Sequence, residues 1–236
     1  MAERFFAPAI GPGDTIRLTD EEAHHLARVR RIRRGERVQI FDGSGIECDA
    51  IVREIGRNEV VLSIEIRQQV DRELPFALTL GCSPAKGDRL RWLVEKATEL
   101  GVTRFVPILT ERANEQARGL SAEKTKRWVI EACKQCGRNQ LMEVSAVLSW
   151  KDFLEACSSA KLRLLASPTG QPLHSIDVAA ARSGVAMAVG PEGGFTPEEL
   201  NLAAQFGWQF VSLGPRTLRV ETAALAAVAW ITAALR

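Results

Sequence analysis

Twice between Val185 and Ala224 the chain passes from a short apolar run, through a glycine-bearing loop, into a helix-forming segment. The first passage reads Val185-Ala-Met-Ala-Val-Gly190-Pro191-Glu192-Gly193-Gly194-Phe195-Thr196. The second reads Val211-Ser-Leu213-Gly214-Pro-Arg216-Thr-Leu218-Arg219-Val-Glu221-Thr222-Ala223. Neighbouring strand-loop-helix units place both loops at the carboxyl edge of one sheet, where open α/β folds bind ligands. Neither loop carries GxGxxG or GxxxxGK(S/T), so neither has a signature for cradling a nucleotide pyrophosphate.

The 236-residue chain as a whole bounds the fold around these loops. Its length suits one or two domains, and 46% hydrophobic with 25% charged residues is ordinary for a globular protein. A net charge of +2 conceals a dense cluster of Arg28, Arg30, Arg31, Arg33, Arg34 and Arg37. Five cysteines, an odd number, do not form a disulfide framework and fit a reducing compartment. No signal-peptide-like apolar region opens the chain, and the apolar stretch from Ala223 to Leu235 is too short to span a bilayer. A cytoplasmic protein with no membrane segment is expected.

Residues 1–72 are predicted to form a small β-barrel. Arg37–Phe41, Ile46–Ile55 and Val60–Ile66 alternate or cluster apolar residues, and Asp42-Gly43-Ser-Gly45 and Gly56-Arg57-Asn58 mark turns. Thr19 and Glu22 have capping-box spacing for a short helix. Gln68 to Pro75 is polar and ends in proline, which puts the domain boundary there. Residues 73–236 then alternate strands with helices, the pattern of a parallel sheet covered on both faces. Strands are expected at Leu78–Cys82, Arg104–Leu109 and Leu162–Ala166. Helices are expected after Asp88, ending at Gly101, from Ser121 to about Gly137, and from Trp150 to Ser158.

Thr196-Pro-Glu-Glu199 is a helix-start signal with threonine as N-cap, proline first and glutamate third. It does not account for Gly190, Gly193 and Gly194, which point to a sharp bend or a close approach of backbone to ligand. The last helix, from about Glu221, carries no charge until Arg236. Such a helix is buried on every side, in a central layer or at a subunit interface.

Gly190-Pro-Glu-Gly-Gly-Phe195 followed by Leu213-Gly-Pro-Arg-Thr-Leu-Arg-Val-Glu-Thr-Ala223 resembles the paired C-terminal signatures of the SPOUT methyltransferases, most nearly the RsmE family. Lys86-Gly-Asp-Arg, Glu95 to Val102, Pro107 to Arg112 and Ala132-Cys-Lys-Gln135-Cys-Gly-Arg138-Asn139 resemble further segments of that family in order. So do His25-Leu26, Val29-Arg30 and Asp42-Gly43-x-Gly45 near the amino terminus. The family pattern is departed from at Lys134, where glutamate is usual, and at Met142, Thr217 and Val220.

The resemblance implies a PUA-like barrel followed by a SPOUT domain with a C-terminal trefoil knot, working as a homodimer. It implies S-adenosylmethionine as cofactor, no metal, and N3 of a uridine in 16S ribosomal RNA (the m3U1498 site) as the methyl acceptor, within the 30S subunit. The cofactor residues expected on this basis are Leu165, Ala166, Gly190, Pro191, Glu192, Gly193, Leu213, Gly214, Leu218, Arg219 and Thr222, with Leu165, Leu213 and Leu218 as an apolar clamp. Uracil N3 must lose its proton before it can attack, and the charge spread onto O2 and O4 then needs a cation. Arg219 is the first expectation for that cation, with Arg138 a second positioning cation. Glu221 or Glu192 could take the proton, although each could equally serve its helix terminus. Phosphate contacts are expected from Arg28, Arg30, Arg31 and Arg34, extended by Lys86 and Arg89, with Arg4 adding a cation beside Phe5 and Phe6. Cys133 and Cys136 lack a second ligand pair and read as packing residues. A SPOUT ribose 2′-O-methyltransferase and a non-catalytic RNA-binding assembly factor are the alternative readings.

Overall fold

The computed structural model describes residues 3–83, 87–113, 121–177 and 179–234. Contacts divide the chain into two units, residues 1–73 with 133–141, and residues 74–132 with 142–236. A single boundary near residue 72 does not foresee the return of 133–141, which joins the first unit through the contacts given below.

The first unit is built on a five-stranded sheet. Its elements are β1 (Arg4–Phe6), β2 (Thr15–Thr19), α1 (Asp20–His24), β3 (Arg37–Phe41), β4 (Ile46–Ile55) and β5 (Glu59–Gln69). Strand order is β1-β3-β4-β5-β2, with β1 and β3 parallel and the other pairs antiparallel. Period-two alternation sends Ile16, Leu18, Val38, Ile40, Cys48, Ala50, Val52, Val60 and Leu62 to one core, closed by Phe5 and Leu26. The predicted capping box at Thr19 does not form, because Thr19 makes no side-chain cap bond. Glu22 is drawn elsewhere: it accepts the Phe6 backbone N–H at 3.1 Å and pairs with Lys134. That pair accounts for lysine at position 134, whose side chain is 8% exposed and therefore requires a carboxylate partner.

The second unit is a parallel sheet with helices. Its elements are β6 (Leu78–Cys82), α2 (Asp88–Glu99), β7 (Arg104–Leu109), α3 (Ala122–Cys136, whose last turn belongs to the first unit), β8 (Glu143–Val144) and β9 (Leu148–Ser149). They continue with α4 (Trp150–Ala156), β10 (Leu162–Pro172), β11 (Val185–Val189), α5 (Pro197–Gln205), β12 (Gln209–Ser212) and α6 (Val220–Ala234). Strand order is β12-β10-β11-β6-β7-β8, every pair parallel, and β9 also pairs with β7. The Val-Ala-Met-Ala-Val of β11 is buried at every position, as a central strand covered on both faces must be. Asp88 is the first residue of α2 and not its cap; that place is taken by Gly87. The other end follows the prediction, with Gly101 at φ +87° just past α2. The Thr196/Glu199 capping box of α5 is fully formed.

Candidate cofactor and RNA sites

Three neighbouring strands, β12, β10 and β11, run to one edge of the sheet, where β11 and β12 release loops and β10 is irregular. β10 bulges in its pairing with β12 between Ala166 and Gln171. Within this bulge, a Cβ on Gly170 would lie 2.4 Å from the Val211 backbone nitrogen, so the bulge rests directly on β12. The loop after β11 is Gly190 to Phe195. Here a Cβ on Gly190 would meet the Phe195 ring at 2.7 Å, and Phe195 is in turn packed 4.6 Å from Trp150, centroid to centroid. Gly194 takes φ +69°, which only glycine adopts without strain. In the loop after β12, Gly214 takes φ +111° and donates its N–H to Ser212 Oγ at 3.3 Å.

Two side chains missed by sequence reasoning fasten the first glycine loop. Arg112 donates to the Gly193 carbonyl at 2.8 Å, and Glu199 accepts the Glu111 N–H at 2.9 Å while closing its own capping box. The capping signal located Glu199, but nothing local to it revealed the second bond. Ser83 and Thr110, at the ends of β6 and β7, are buried, and neither hydroxyl has a hydrogen-bond partner among the described residues.

Of the expected cofactor residues, Gly190, Pro191, Glu192, Gly193, Leu213, Gly214, Leu218, Arg219 and Thr222 all lie on the loops after β11 and β12 or the first turn of α6, and Ala166 at the end of the first run of β10. Leu213 and Leu218 are half-buried and so keep apolar surface at this edge. Leu165 is different. It pairs with Ala188 and Phe210 inside the sheet and is fully buried in the core with Phe153 and Trp208, so it is no wall of a pocket. A strand residue one step before the sheet opens has both faces covered, and the expected clamp loses this member.

The charged groups at the edge divide by burial. Arg219 is exposed and forms no ion pair with a described residue. Glu192 is also exposed, whereas Glu221, in the first turn of α6, has a side chain only 9% exposed. Arg89, expected on the RNA track, lies between them: its Nη1 is 3.6 Å from Glu192 Oε1 and 3.8 Å from Glu221 Oε1. Burial drives the Cys82 thiol far above its ordinary range, and the nearby Glu221 charge adds to the effect.

The first unit carries the arginine cluster. His25–Val29 forms a π-helical turn, a deviation often found at functional positions, and Arg31 follows at φ +56°. This course leaves Arg28, Arg30, Arg31 and Arg34 exposed beside Val29, which is 60% exposed. Arg30 pairs with Glu3 at 3.2 Å, but both groups are about half exposed, so the pair is weak and the cation free to exchange partners. Lys86 lies outside the described residues.

Arg4, Phe5 and Phe6 do not extend that surface. The phenylalanines are core, and the Arg4 side chain is 7% exposed, bonded to Gln39 at 2.5 Å, Glu47 at 2.7 Å and Asn139 at 2.6 Å. Arg138 is likewise committed. It is 6% exposed and bonds both Glu73 carboxylate oxygens, through Nε at 2.9 Å and Nη2 at 2.5 Å, within the first unit. A buried guanidinium forked onto a carboxylate is a structural ion, not a free cation for substrate. Cys133, next to Arg138 in this segment, has its thiol pushed up to about 12 by burial and does not serve as a thiolate ligand.

The family comparisons agree with this arrangement. The model described as an RNA methyltransferase domain matches residues 72–232, and the RNA methyltransferase PUA domain matches residues 18–65. Ribosomal RNA small subunit methyltransferase E of Synechocystis is 34% identical over 228 residues, covering 94% of this chain and 74% of the relative. That of Bacillus subtilis is 29% identical over 236 residues, with 94% and 92% covered. Among solved structures, the Neisseria gonorrhoeae enzyme of the same name, bound to S-adenosyl methionine, has a TM-score of 0.90 at 33% identity, covering 99% of this chain and 98% of that one. A Legionella pneumophila methyltransferase in complex with the same cofactor gives 0.91 at 31% identity, with the same coverage. A PUA-like domain precedes a SPOUT-type parallel sheet, and the chain belongs to the ribosomal RNA small subunit methyltransferase E family of RNA methyltransferases.

Proposed function

We propose that the chain transfers a methyl group from S-adenosylmethionine to N3 of one uridine in 16S ribosomal RNA. The observation that carries this reading is the meeting of the two glycine loops with the bulge of β10, on three neighbouring strands. Such an edge fits the cofactor physically. Glycines at 190, 193, 194 and 214 put backbone without side chains at this edge, and Leu213 and Leu218 offer apolar surface for the faces of an adenine. The cofactor supplies an electrophilic methyl group on a sulfonium.

The chain supplies the rest. Glu221 takes the N3 proton, Arg219 stabilises the negative charge that spreads onto O2 and O4, and the N3–carbon bond forms as the sulfonium–carbon bond breaks. Arg28, Arg30, Arg31 and Arg34 hold RNA phosphates without reading bases.

The remaining face of α6 supports a homodimer. Thr222, Ala226, Ala229 and Ala233 form an exposed stripe of small, uncharged side chains, suited to close helix packing. The strand order β12-β10-β11 puts the last strand outside its two predecessors, which supports a knotted threading of the loops. A ribosomal substrate within the 30S subunit makes the cytoplasm the working compartment; among the described residues no helix is long and apolar enough to cross a membrane.

The deciding experiment incubates the protein and S-adenosylmethionine with unmodified 30S subunits or naked 16S RNA, followed by nucleoside analysis. The expected product is 3-methyluridine. A 2′-O-methylated nucleoside, or no methylation of either substrate, would overturn the assignment.

A further inference from the structure

Arg89 has the sequence position of a phosphate-binding cation but not the surroundings of one. It occupies the first turn of α2, and its guanidinium reaches one carboxylate from the loop after β11 and another from the start of α6. The two acids come from different segments at the candidate cofactor site, so a single cation spans both.

The electrostatic demand comes from Glu221. A carboxylate 9% exposed is costly to keep charged unless a cation compensates it. The helix that carries it packs on α2, β6 and β11. From α2 it faces Arg89; from β6 it faces Cys82, whose thiol is kept neutral by burial; β11 is Val-Ala-Met-Ala-Val and offers no titratable group. Glu192, on the loop beyond β11, shares the same guanidinium and adds like charge to the site. Arg89 is the cation recorded in an ion pair with Glu221 among the described residues. Arginine stays protonated, so it cannot compete with Glu221 for the substrate proton.

We propose that Arg89 is a positioning residue for methyl transfer: it neutralises and aims the Glu221 carboxylate and ties the β11 loop to the start of α6, and it does not contact RNA phosphate. The inference rests on the methyltransferase reading above and assigns a task within that same site.

The test compares the full-length wild type with Arg89→Gln, Arg89→Lys, Glu221→Gln and the Arg89→Gln/Glu221→Gln pair. Cofactor affinity is read by calorimetry, RNA affinity as a function of salt, and single-turnover methyl transfer as a function of pH. For Arg89→Gln, RNA affinity and its salt slope stay at wild-type values while the transfer rate at pH 7 falls at least tenfold. Loss of the cation is felt through the carboxylate, so the pH profile of the rate moves. Arg89→Lys moves it most of the way back, and the double variant is no slower than Glu221→Gln alone. Two results overturn the proposal. One is weaker RNA binding with a salt slope smaller by about 1, at an unchanged saturated rate, which is the behaviour of a phosphate contact. The other is a slower reaction with an unmoved pH profile, which separates Arg89 from Glu221. A wild type that binds no cofactor and transfers no methyl group would instead bring down the functional reading itself, a result visible before any variant is measured.

Discussion

Replacing Glu47 with glutamine tests the physical account of the first unit most severely. Glu47 is 2% exposed at its side chain and receives hydrogen bonds from Arg4 at 2.7 Å and Arg72 at 2.8 Å. Those two arginines also hold the returning segment: Arg4 bonds Asn139, and Arg72 donates to the Gly137 carbonyl at 2.9 Å. Burial alone would raise the Glu47 carboxyl, but the bonds from Arg72 and Arg4 outweigh it and lower the value from 4.5 to about 2. At about 1.4 kcal/mol per pH decade, that depression makes the ionised form worth roughly 3 kcal/mol to the folded state. A depressed carboxylate contributes fully above its unfolded value and loses its contribution as pH falls through the folded one. The stabilisation is therefore complete at pH 7, is lost mainly between pH 4.5 and about 2, and has fallen by more than half at pH 3.

Glu47→Gln keeps the shape and removes the charge, leaving Arg4 buried without its anion. Breaking a buried pair in this way costs about 3–5 kcal/mol, the same range as the linkage value. The assay must isolate the first unit, and the chain provides the means. All five tryptophans, at 92, 128, 150, 208 and 230, lie in the second unit, so their fluorescence reports that unit alone. Amide hydrogen exchange along β4 and β5 reports the first. At pH 7 the variant should lose about 3 kcal/mol of protection in β4 and β5, and the loss should shrink to near 1 kcal/mol at pH 3. A loss below 1 kcal/mol at pH 7, or one of the same size at both pH values, would refute the ion-pair argument.

Three further outcomes follow from the structure. Gly190→Ala forces a methyl group to within 2.7 Å of a Phe195 ring that Trp150 already confines, at an overpacking cost of about 1–3 kcal/mol and several degrees of Tm. Calorimetric scanning checks this, and a variant melting with the wild type would show that the ring moves freely. Reversing the charge of any two of Arg30, Arg31 and Arg34 should weaken RNA binding and lower its salt slope, with cofactor affinity untouched. Equal loss of both affinities would indicate damage to the fold. Ala229→Glu places a charge in the exposed stripe of α6 and should turn a dimer into a monomer in sedimentation velocity; an unchanged sedimentation profile would remove α6 from the interface.

Elements were legible where local chemistry sufficed. The apolar run of β11, the capping box of α5 and the glycine after α2 are each set by a few adjacent residues, and the structure forms all three. The Thr19 box had the same local signal and failed, because the Phe6 N–H and Lys134 compete for Glu22 from elsewhere in the chain. Burial was the main quantity the sequence concealed. Leu165 and Leu213 both stand at the carboxyl ends of apolar runs, yet only the former is inside the sheet. Charge partners were concealed for the same reason, since the Arg89 bridge joins residues over a hundred positions apart in the chain.

The Gln135-to-Asn139 segment shows what a family resemblance does and does not transfer. Its residues match the family in order, and that match made Arg138 a candidate for the chemistry. In the structure, Gly137, Arg138 and Asn139 each make a separate tie inside the first unit: to Arg72, to Glu73, and to Arg4 and the Val70 carbonyl. Polar residues so placed are demanded by the fold, because each buried donor or charge must find its partner. A motif kept for such ties looks, in sequence, the same as one kept for catalysis. What separates the two is the solvent exposure and prior commitment of the cation. By that criterion Arg4 and Arg138 are spent on structure, Arg219 is exposed at the loop edge with no described partner, and Arg89 stands between, half exposed and paired among the described residues with Glu192 and Glu221.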